Sequence, residues 1–257
     1  MTGAVAGGVT RAMLLAAGRG LRLKALTERT PKPLVPVGGR PMVGYVLDLL
    51  KAAGVREVHM NTHHLGDRIP QALGDGAEWG LSIRYHPEAE ILGTGGGLRA
   101  ACRACPDLAE APFVMLNSDI LVDIDLGAVV AGHLASPALA TLVLRDDPDA
   151  ARFGLIGTDD GGRIRRFLDV NAGGARREHM FTGIQVLSPE ILDYMPDEEV
   201  FPITDAYKAA LADGAVLRAH LHRGYWADLG TPERLRAAEA DLAAGRAGRL
   251  VPAGGPR

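Results

Sequence analysis

The chain of 257 residues has only two cysteines, Cys102 and Cys105, and 5% aromatic residues. Two cysteines so close together give no disulfide framework. Their Cys-x-x-Cys spacing suits redox chemistry or half of a metal site. A zinc site needs a second ligand pair, and none is obvious, so a helical face is the expected setting. Positive charge is not in excess: 28 Lys and Arg against 31 Asp and Glu leave a net charge of −3. That argues against nucleic acid or an anionic membrane surface as partner, so any anion site must be local. No apolar run reaches the length of a membrane span. The opening MTGAVAGGVTR lacks the basic start and long apolar stretch of a signal peptide. A cytoplasmic protein is expected, with flexible tails over 1–10 and 246–257.

What is present is a large apolar fraction, 47%, enough for the core of one large α/β domain or one with a modest insertion. Residues 12–16 (AMLLA), 57–62 (EVHMNT), 82–86 and 112–119 (PFVMLNSD) read as strands. Residues 41–53 place apolar side chains at helical spacing, with Pro41 near the start and Gly54 just past the end. A second helix is expected from Gly95. This alternation predicts a mostly parallel sheet in three layers. Beyond residue 140 the pattern changes to strands at 141–146, 153–159, 163–169 and 181–188, separated by short turns. Asp159-Asp160-Gly161-Gly162 signals a hairpin. Helices follow at 203–213 and 231–244. The second half reads as an extension of the same sheet and a lid.

The stretch MLLAAGRGLRLKALTERTPKPLVPV, residues 13–37, runs from a buried strand through two glycines into basic residues. Gly18 and Gly20 allow close backbone approach to a ligand, and successive N–H groups can cradle phosphate oxygens. The loop lacks the Gly-Lys-Ser/Thr of a Walker A motif. It also lacks the third glycine of a dinucleotide fingerprint, since Leu23 stands there. Arg22 can donate bidentately to phosphate, and Lys32 is stiffened between Pro31 and Pro33. Asn117-Ser118-Asp119 ends a buried strand, at the edge where α/β ligands bind. Thr231 and Pro232 read as the N-cap and first residue of a helix. The adjacent histidines His63 and His64 point opposite ways on an extended chain, which favours a structural or supporting role over a metal site.

Taken together, A-A-G-R-G-L-R-L, T-P-K-P-L-V-P-V, L-G-T-G-G-G, N-S-D and Y-W-A-D-L-G-T-P resemble the sugar-1-phosphate nucleotidylyltransferases. The resemblance covers roughly residues 11–245, with motifs in the expected order. It implies a three-layer, Rossmann-like α/β fold with a mixed, mostly parallel sheet of the nucleotide-diphospho-sugar transferase type. A smaller strand-rich, sugar-binding extension is implied as well. The single domain would span 11–245, with a nucleotide half over about 11–135 and a sugar half over about 136–245. The implied reaction joins a nucleoside triphosphate to a sugar 1-phosphate and releases pyrophosphate.

The resemblance implies a role for each matching residue. Arg22, Lys32, Asp119 and Asp228 are the catalytic set, and Asp119 and Asp228 would hold Mg²⁺. Ala16, Ala17, Gly18, Gly20, Glu88, Gly93 and Thr94 fall to the nucleotide. Gly154, Thr182, Gly183 and Asp205 fall to the sugar phosphate. Leu21 and Ala25 depart from the family pattern without removing a charge. Leu168-Asp169-Val170 stands where many members have Glu-Lys-Pro, so the phosphate-binding lysine is missing. Arg166, Arg176 and Arg177 are the candidates to replace it. A glutamate at 88 accepts hydrogen bonds but cannot donate them, which leans the base toward guanine with its two adjacent donors. The expectation is therefore a mannose-1-phosphate guanylyltransferase. N-acetylmuramate-1-phosphate uridylyltransferase and heptose-1-phosphate guanylyltransferase are the alternatives within the class. Outside it stand an NAD(P)-dependent oxidoreductase, a non-catalytic nucleotide-sugar sensor and a relative acting on an amino-alcohol phosphate.

Overall fold

The first strand, Arg11–Leu15 (β1), sends Ala12 and Leu14 into one apolar cluster and Met13 into another. A strand buried on both faces belongs in the middle of a three-layer arrangement. The computed structural model describes residues 8–23, 25–148, 150 and 154–250. In chain order β1 is followed by α1 (Ala25–Arg29), β2 (Pro36–Val37), β3 (Arg40–Pro41), α2 (Met42–Ala52) and β4 (Glu57–Thr62). Next come α3 (Arg68–Leu73), β5 (Ser82–Pro87), α4 (Gly93–Ala104), β6 (Phe113–Asn117), β7 (Ile120–Val122) and α5 (Leu126–Leu134). The rest comprises β8 (Ala140–Arg145), β9 (Leu155–Thr158), β10 (Ile164–Phe167), β11 (Val170–Asn171) and β12 (Arg177–Leu187). It closes with α6 (Ile203–Ala212), β13 (Leu217–Leu221), β14 (Trp226–Asp228) and α7 (Pro232–Ala243).

The main sheet runs β11-β10-β9-β12-β6-β1-β4-β5, with β8 beside β12 and β13 beside β8. Strands β6, β1, β4 and β5 are mutually parallel, and β12 enters antiparallel to β6. The mixed, mostly parallel sheet expected from the sequence is present. One face is covered by α2 and α5 through Val43, Leu47, Leu50 and Val129. The other is covered by α4 and α6 through Leu98, Ala101, Ala206, Tyr207 and Ala210. A third cluster lies under α7, where Leu235, Ala238 and Leu242 meet Leu23, Val35 and Leu229. That cluster fastens the basic loop after β1 to the segment after β14.

Long β12 changes partners along its length. Its first part pairs with β9 and its second with β6, while β8 follows its other side. The register with β8 shifts between Phe181 and Gln185, and Gly183 in that interval has φ +82°. A bulge of this kind bends the strand. The Asp159–Gly162 turn joins antiparallel β9 and β10, with Asp159 Oδ1 accepting from the N–H groups of Gly161 and Arg163.

Some expectations are corrected. The helix expected from Gly95 starts at Gly93, because Gly93 takes φ +75° and turns the chain into it. Val9 and Ala247, in stretches expected to be loose, are buried, and Arg249 bonds Asp123 at 2.7 Å. Apolar burial and an ion pair hold these positions. Residues 1–7 and 251–257 of those stretches lie outside the described residues, as does Phe153 at the expected start of a strand.

Candidate active site

The parallel strands β1, β4 and β6 end side by side, and their carboxyl ends open into a cavity of about 240 Å³. It is lined by Ala16, Ala17 and Gly18 after β1, and by Asn117, Ser118 and Asp119 after β6. Lys32, Asn61, Glu88, Gly93 and Thr94 complete most of its wall. This is the crevice outside the strand ends where open α/β sheets bind ligands.

The glycine loop is shaped by contacts rather than by flexibility. Gly20 has φ +65°, and a Cβ there would lie 2.7 Å from Thr27 Cγ2 and 3.2 Å from Lys32 Cβ. Thr27 Oγ1 donates to the Gly20 carbonyl at 3.0 Å. The loop therefore closes on the stem of Lys32. The Lys32 ammonium in turn forms an ion pair with the Asp119 carboxylate, and both side chains are largely buried.

Asp119 immediately precedes β7, and Asp228 ends β14. The two strands are antiparallel, with Ile120 opposite Asp228. The Leu229 N–H donates to the Asp119 carbonyl at 2.9 Å. Two aspartates distant in sequence thus become neighbours through a short ladder. Asp228 Oδ1 accepts from the Gly230 N–H at 2.8 Å and from Arg234 Nη1 at 2.9 Å. Arg234 is presented by α7, which Thr231 caps by accepting from the Arg234 N–H. A Cβ on Gly230 would lie 2.6 Å from Arg22 Nη2 and 2.7 Å from Asp228 Oδ1. Arg22 therefore lies over Gly230 beside Asp228. Of the four residues expected to be catalytic, Lys32 and Asp119 line the cavity. Arg22 and Asp228 meet at Gly230 outside that lining, with Asp228 joined to Asp119 through the backbone of the β7–β14 ladder. Gly20 also lies outside the lining.

On the base side, Asn61 Oδ1 accepts from the Ala16 N–H at 2.8 Å, while Asn61 Nδ2 donates to Glu88 Oε1 at 2.7 Å. Glu88 Oε2 accepts from the Leu92 N–H at 3.0 Å. Both oxygens of this buried carboxylate thus already hold a protein donor. α4 sits directly on the pair: a Cβ at Gly97 would lie 2.6 Å from Glu88 Oε1 and 2.7 Å from Asn61 Nδ2. Thr94 Oγ1 accepts from the Ile203 N–H at 2.8 Å, which ties the start of α4 to the start of α6.

None of the four expected sugar residues lines the 240 Å³ cavity. Thr182 is buried, and its hydroxyl donates to the Val143 carbonyl at 2.8 Å. Its carbonyl accepts from Trp226 Nε1 at 3.1 Å. Gly183 borders the cavity indirectly, 2.5 Å from Asn117 Nδ2 at the position of a Cβ. At Gly154 a Cβ would meet Leu168 Cδ2 at 2.3 Å. Asp205 pairs with Lys208 at 3.2 Å. The proposed replacements for the missing lysine are directed elsewhere. Arg166 pairs with Glu178, and Arg177 faces Asp160 across 4.0 Å. Arg176 and Arg177 lie opposite Thr158, at the end of β9 remote from Gly154.

Asn61, Arg145 and Arg234 have no role in the sequence reading, and Asn117 enters there only as part of the strand end before Asp119. Asn61 carried a signal, a polar residue closing an alternating strand. Arg145, at the end of β8, stacks over Trp226 with its Cζ 5.4 Å from the ring centre and lies 3.4 Å from Asp147. His63 Nδ1 lies 2.9 Å from the Glu88 carbonyl and His64 Nε2 2.9 Å from the Thr27 carbonyl. Both histidines brace loops beside the cavity.

A crevice at parallel strand ends, holding the glycine loop and the Lys32–Asp119 pair, with Arg22 and Asp228 on the neighbouring segment, suits a phosphate-handling α/β protein. The chain belongs to the Nucleotidyl transferase family, whose pattern matches residues 11–245. It is an enzyme of the sugar-1-phosphate nucleotidylyltransferase type. It is 36% identical over 233 residues to the N-acetylmuramate alpha-1-phosphate uridylyltransferase of Neisseria meningitidis, covering 90% of this chain and 97% of that protein. It is 32% identical over 236 residues to the mannose-1-phosphate guanylyltransferase of Mycobacterium tuberculosis, covering 91% of this chain but 65% of that protein. Among solved structures, a Bacillus anthracis protein provisionally assigned as a glucose-1-phosphate thymidylyltransferase superposes with a TM-score of 0.76 at 26% identity, covering 90% and 94% of the two chains. Among the described residues, no helix is long and apolar enough to cross a membrane.

Proposed function

We propose that the chain transfers a uridylyl group from UTP to N-acetylmuramate 1-phosphate, forming the UDP-sugar and pyrophosphate. The observation that carries the choice of base is the likeness to the Neisseria uridylyltransferase over 97% of its length, with the engagement of Glu88 in support. Guanine recognition by a carboxylate needs two acceptor positions turned toward its N1–H and 2-amino group. Here one acceptor position on each oxygen is taken, by Asn61 and by the Leu92 N–H, and Gly97 packs against Oε1. We read Glu88 as the holder of Asn61 and of the α4 entrance, in place of the guanine contact expected from the sequence. Uracil, with one ring donor between two carbonyls, can be read by main-chain groups at Ala16–Gly18 and Gly93–Thr94. The choice of sugar is supported by the Neisseria relative, which this chain matches over 97% of its length.

The reaction is an in-line displacement. A phosphate oxygen of the sugar 1-phosphate attacks the α-phosphorus, the bond to the bridging β-phosphate oxygen breaks, and pyrophosphate leaves. The attacking group is already an anion, so positioning and charge stabilisation are the main tasks. Asp119 and Asp228, carried at the ends of the paired β7 and β14 segments, are a donor set that suits Mg²⁺, with water and substrate phosphate to complete the shell. Bound there, Mg²⁺ supplies charge neutralisation and alignment of the phosphates. Arg22 and Lys32 stabilise the triphosphate as charge moves to the leaving group. In place of the missing lysine, Arg145 binds the sugar phosphate, a role favoured by its contact with Trp226, two residues before Asp228.

Pyrophosphate release measured over four nucleoside triphosphates and a panel of sugar 1-phosphates tests this reading. UTP with N-acetylmuramate 1-phosphate is expected to exceed GTP with mannose 1-phosphate at least about tenfold in kcat/KM, roughly 1.4 kcal/mol of discrimination. The reverse order overturns it in favour of guanylyl transfer. Arg145→Ala is expected to raise KM for the sugar phosphate while leaving KM for UTP near its wild-type value.

A further inference from the structure

The polar row that holds the base pocket continues down the same sheet face. Two residues before Asn61 on β4 stands His59, and two residues before Glu88 stands His86 on β5. Beneath the end of α4 they meet Cys105. Cys102, one turn earlier, packs instead with Leu98 and Ala101 in the apolar core. The two cysteines therefore serve different surroundings, and the second pair absent near them in sequence comes from the neighbouring strands.

One ligand atom each from His59, His86 and Cys105 lies within 4.8 Å of the others. His59 Nδ1 and His86 Nε2 are 2.9 Å apart, with ring planes inclined by only 11°. Two ring nitrogens thus face each other across a single proton. His59 is fully buried, and its other nitrogen, Nε2, has no hydrogen-bond partner among the described residues. That nitrogen lies 3.6 Å from Glu57 Oε1, which Arg84 Nε approaches at 2.5 Å. A carboxylate there favours the tautomer with hydrogen on Nε2, leaving the Nδ1 lone pair directed at His86 and the sulfur.

We propose that His59 Nδ1, His86 Nε2 and Cys105 Sγ bind a zinc ion, with Glu57 orienting His59 from behind. Two imidazoles and a thiolate form a donor set for a borderline-soft divalent metal, at about 2.0–2.1 Å for nitrogen and about 2.3 Å for sulfur. Tetrahedral bonding at those lengths requires donors about 3.3–3.7 Å apart. The nitrogens must open slightly and the sulfur move inward. A histidine ligand whose second N–H faces a carboxylate is the usual support for such an ion. On binding, the His86 ring proton moves to its Nδ1 and the thiol proton passes to solvent. Arg84, half exposed and 3.7 Å from the sulfur through Nη1, can swing outward while staying near Glu57. The ion would clamp the end of α4 to β4 and β5, the strands whose far ends carry Asn61 and Glu88.

The full-length chain, stripped with a chelator, is titrated with Zn²⁺ against a chromogenic competitor and separately with Co²⁺. One Zn²⁺ per chain is expected, with a thiolate-to-cobalt charge-transfer band and a raised Tm. Cys105→Ser, at a partly exposed site, is expected to weaken binding at least about a hundredfold and to abolish the band. Cys102→Ala and Asp119→Asn are expected to keep both, which separates this site from the catalytic carboxylates. Absence of stoichiometric binding, equal binding by Cys105→Ser, or loss of the band in Asp119→Asn overturns the proposal. The outcome is independent of which sugar phosphate the enzyme takes.

Discussion

Asp228 stands opposite Ile120, the residue after Asp119, in the antiparallel β7–β14 pair, and the Leu229 N–H bonds the Asp119 carbonyl at 2.9 Å. Each carboxylate has its own cation, Lys32 for Asp119 and Arg234 for Asp228. The ladder joins the two backbones, and each cation offsets the charge of its own carboxylate.

Replacing either aspartate by asparagine keeps the shape and removes one negative charge. Asp119→Asn and Asp228→Asn are each expected to lower kcat by about 10²–10³-fold. Circular dichroism and Tm should stay near wild type. Steady-state pyrophosphate release with rising Mg²⁺ checks this: the expected variants are not rescued by more metal.

Gly97 has a steric reason to be glycine. A methyl group there would press on Glu88 Oε1 and Asn61 Nδ2, both buried and mutually bonded. Gly97→Ala is expected to cost about 1–3 kcal/mol of stability and to raise KM for the nucleotide. Denaturant unfolding together with nucleotide titration reads both effects.

Glu88→Gln tests the holder role directly. The amide has one oxygen where the carboxylate has two, so either Asn61 Nδ2 or the Leu92 N–H would face another donor. A loss of about 1–3 kcal/mol is expected, with UTP and GTP affinities falling together. Selective loss of GTP binding would instead identify Glu88 as a guanine reader.

Four histidines, His59, His86, His133 and His220, have pKa values below the ordinary value of 6.5, mainly because burial disfavours their charged form. The unfolded chain then binds more protons than the folded one as pH falls. Stability is therefore fully present above about pH 6.5 and declines below it. His133 lies between Thr141 Oγ1 at 3.0 Å and Ser188 Oγ at 3.2 Å. His133→Gln is expected to make the fall of Tm below about pH 6.5 shallower, measured calorimetrically in the presence of a chelator.

The elements legible in the sequence were those with a strong period. β4 is found where EVHMNT predicts it, and α7 begins at the expected Thr231 cap and Pro232. The short strands β7 and β14 escaped notice, because three residues carry too little pattern. Yet they join the two aspartates. Motif spacing singled out Arg22, Lys32, Asp119 and Asp228; the structure places Lys32 and Asp119 in the cavity wall and Arg22 and Asp228 together at Gly230. Spacing could not show what each side chain does locally. Glu88, expected at the base, does line the cavity, and there it also holds Asn61, a long-range partner. Thr182 looked like a sugar contact, but its hydroxyl turns toward Val143. Arg145 and Arg234 have no sequence signature, since strand pairing and a helix start bring them to the site.

The most direct test of the account follows a radioactive label in the α-phosphate of UTP, with N-acetylmuramate 1-phosphate and Mg²⁺ present. With the wild-type chain, the label is expected in the UDP-sugar, with pyrophosphate formed in equal amount, and Asp119→Asn should leave it in UTP. Label that stays in UTP with the wild-type chain, across this and every other sugar 1-phosphate offered, while nucleotide sugars bind tightly, would contradict the account and point to a binding protein built on the same fold.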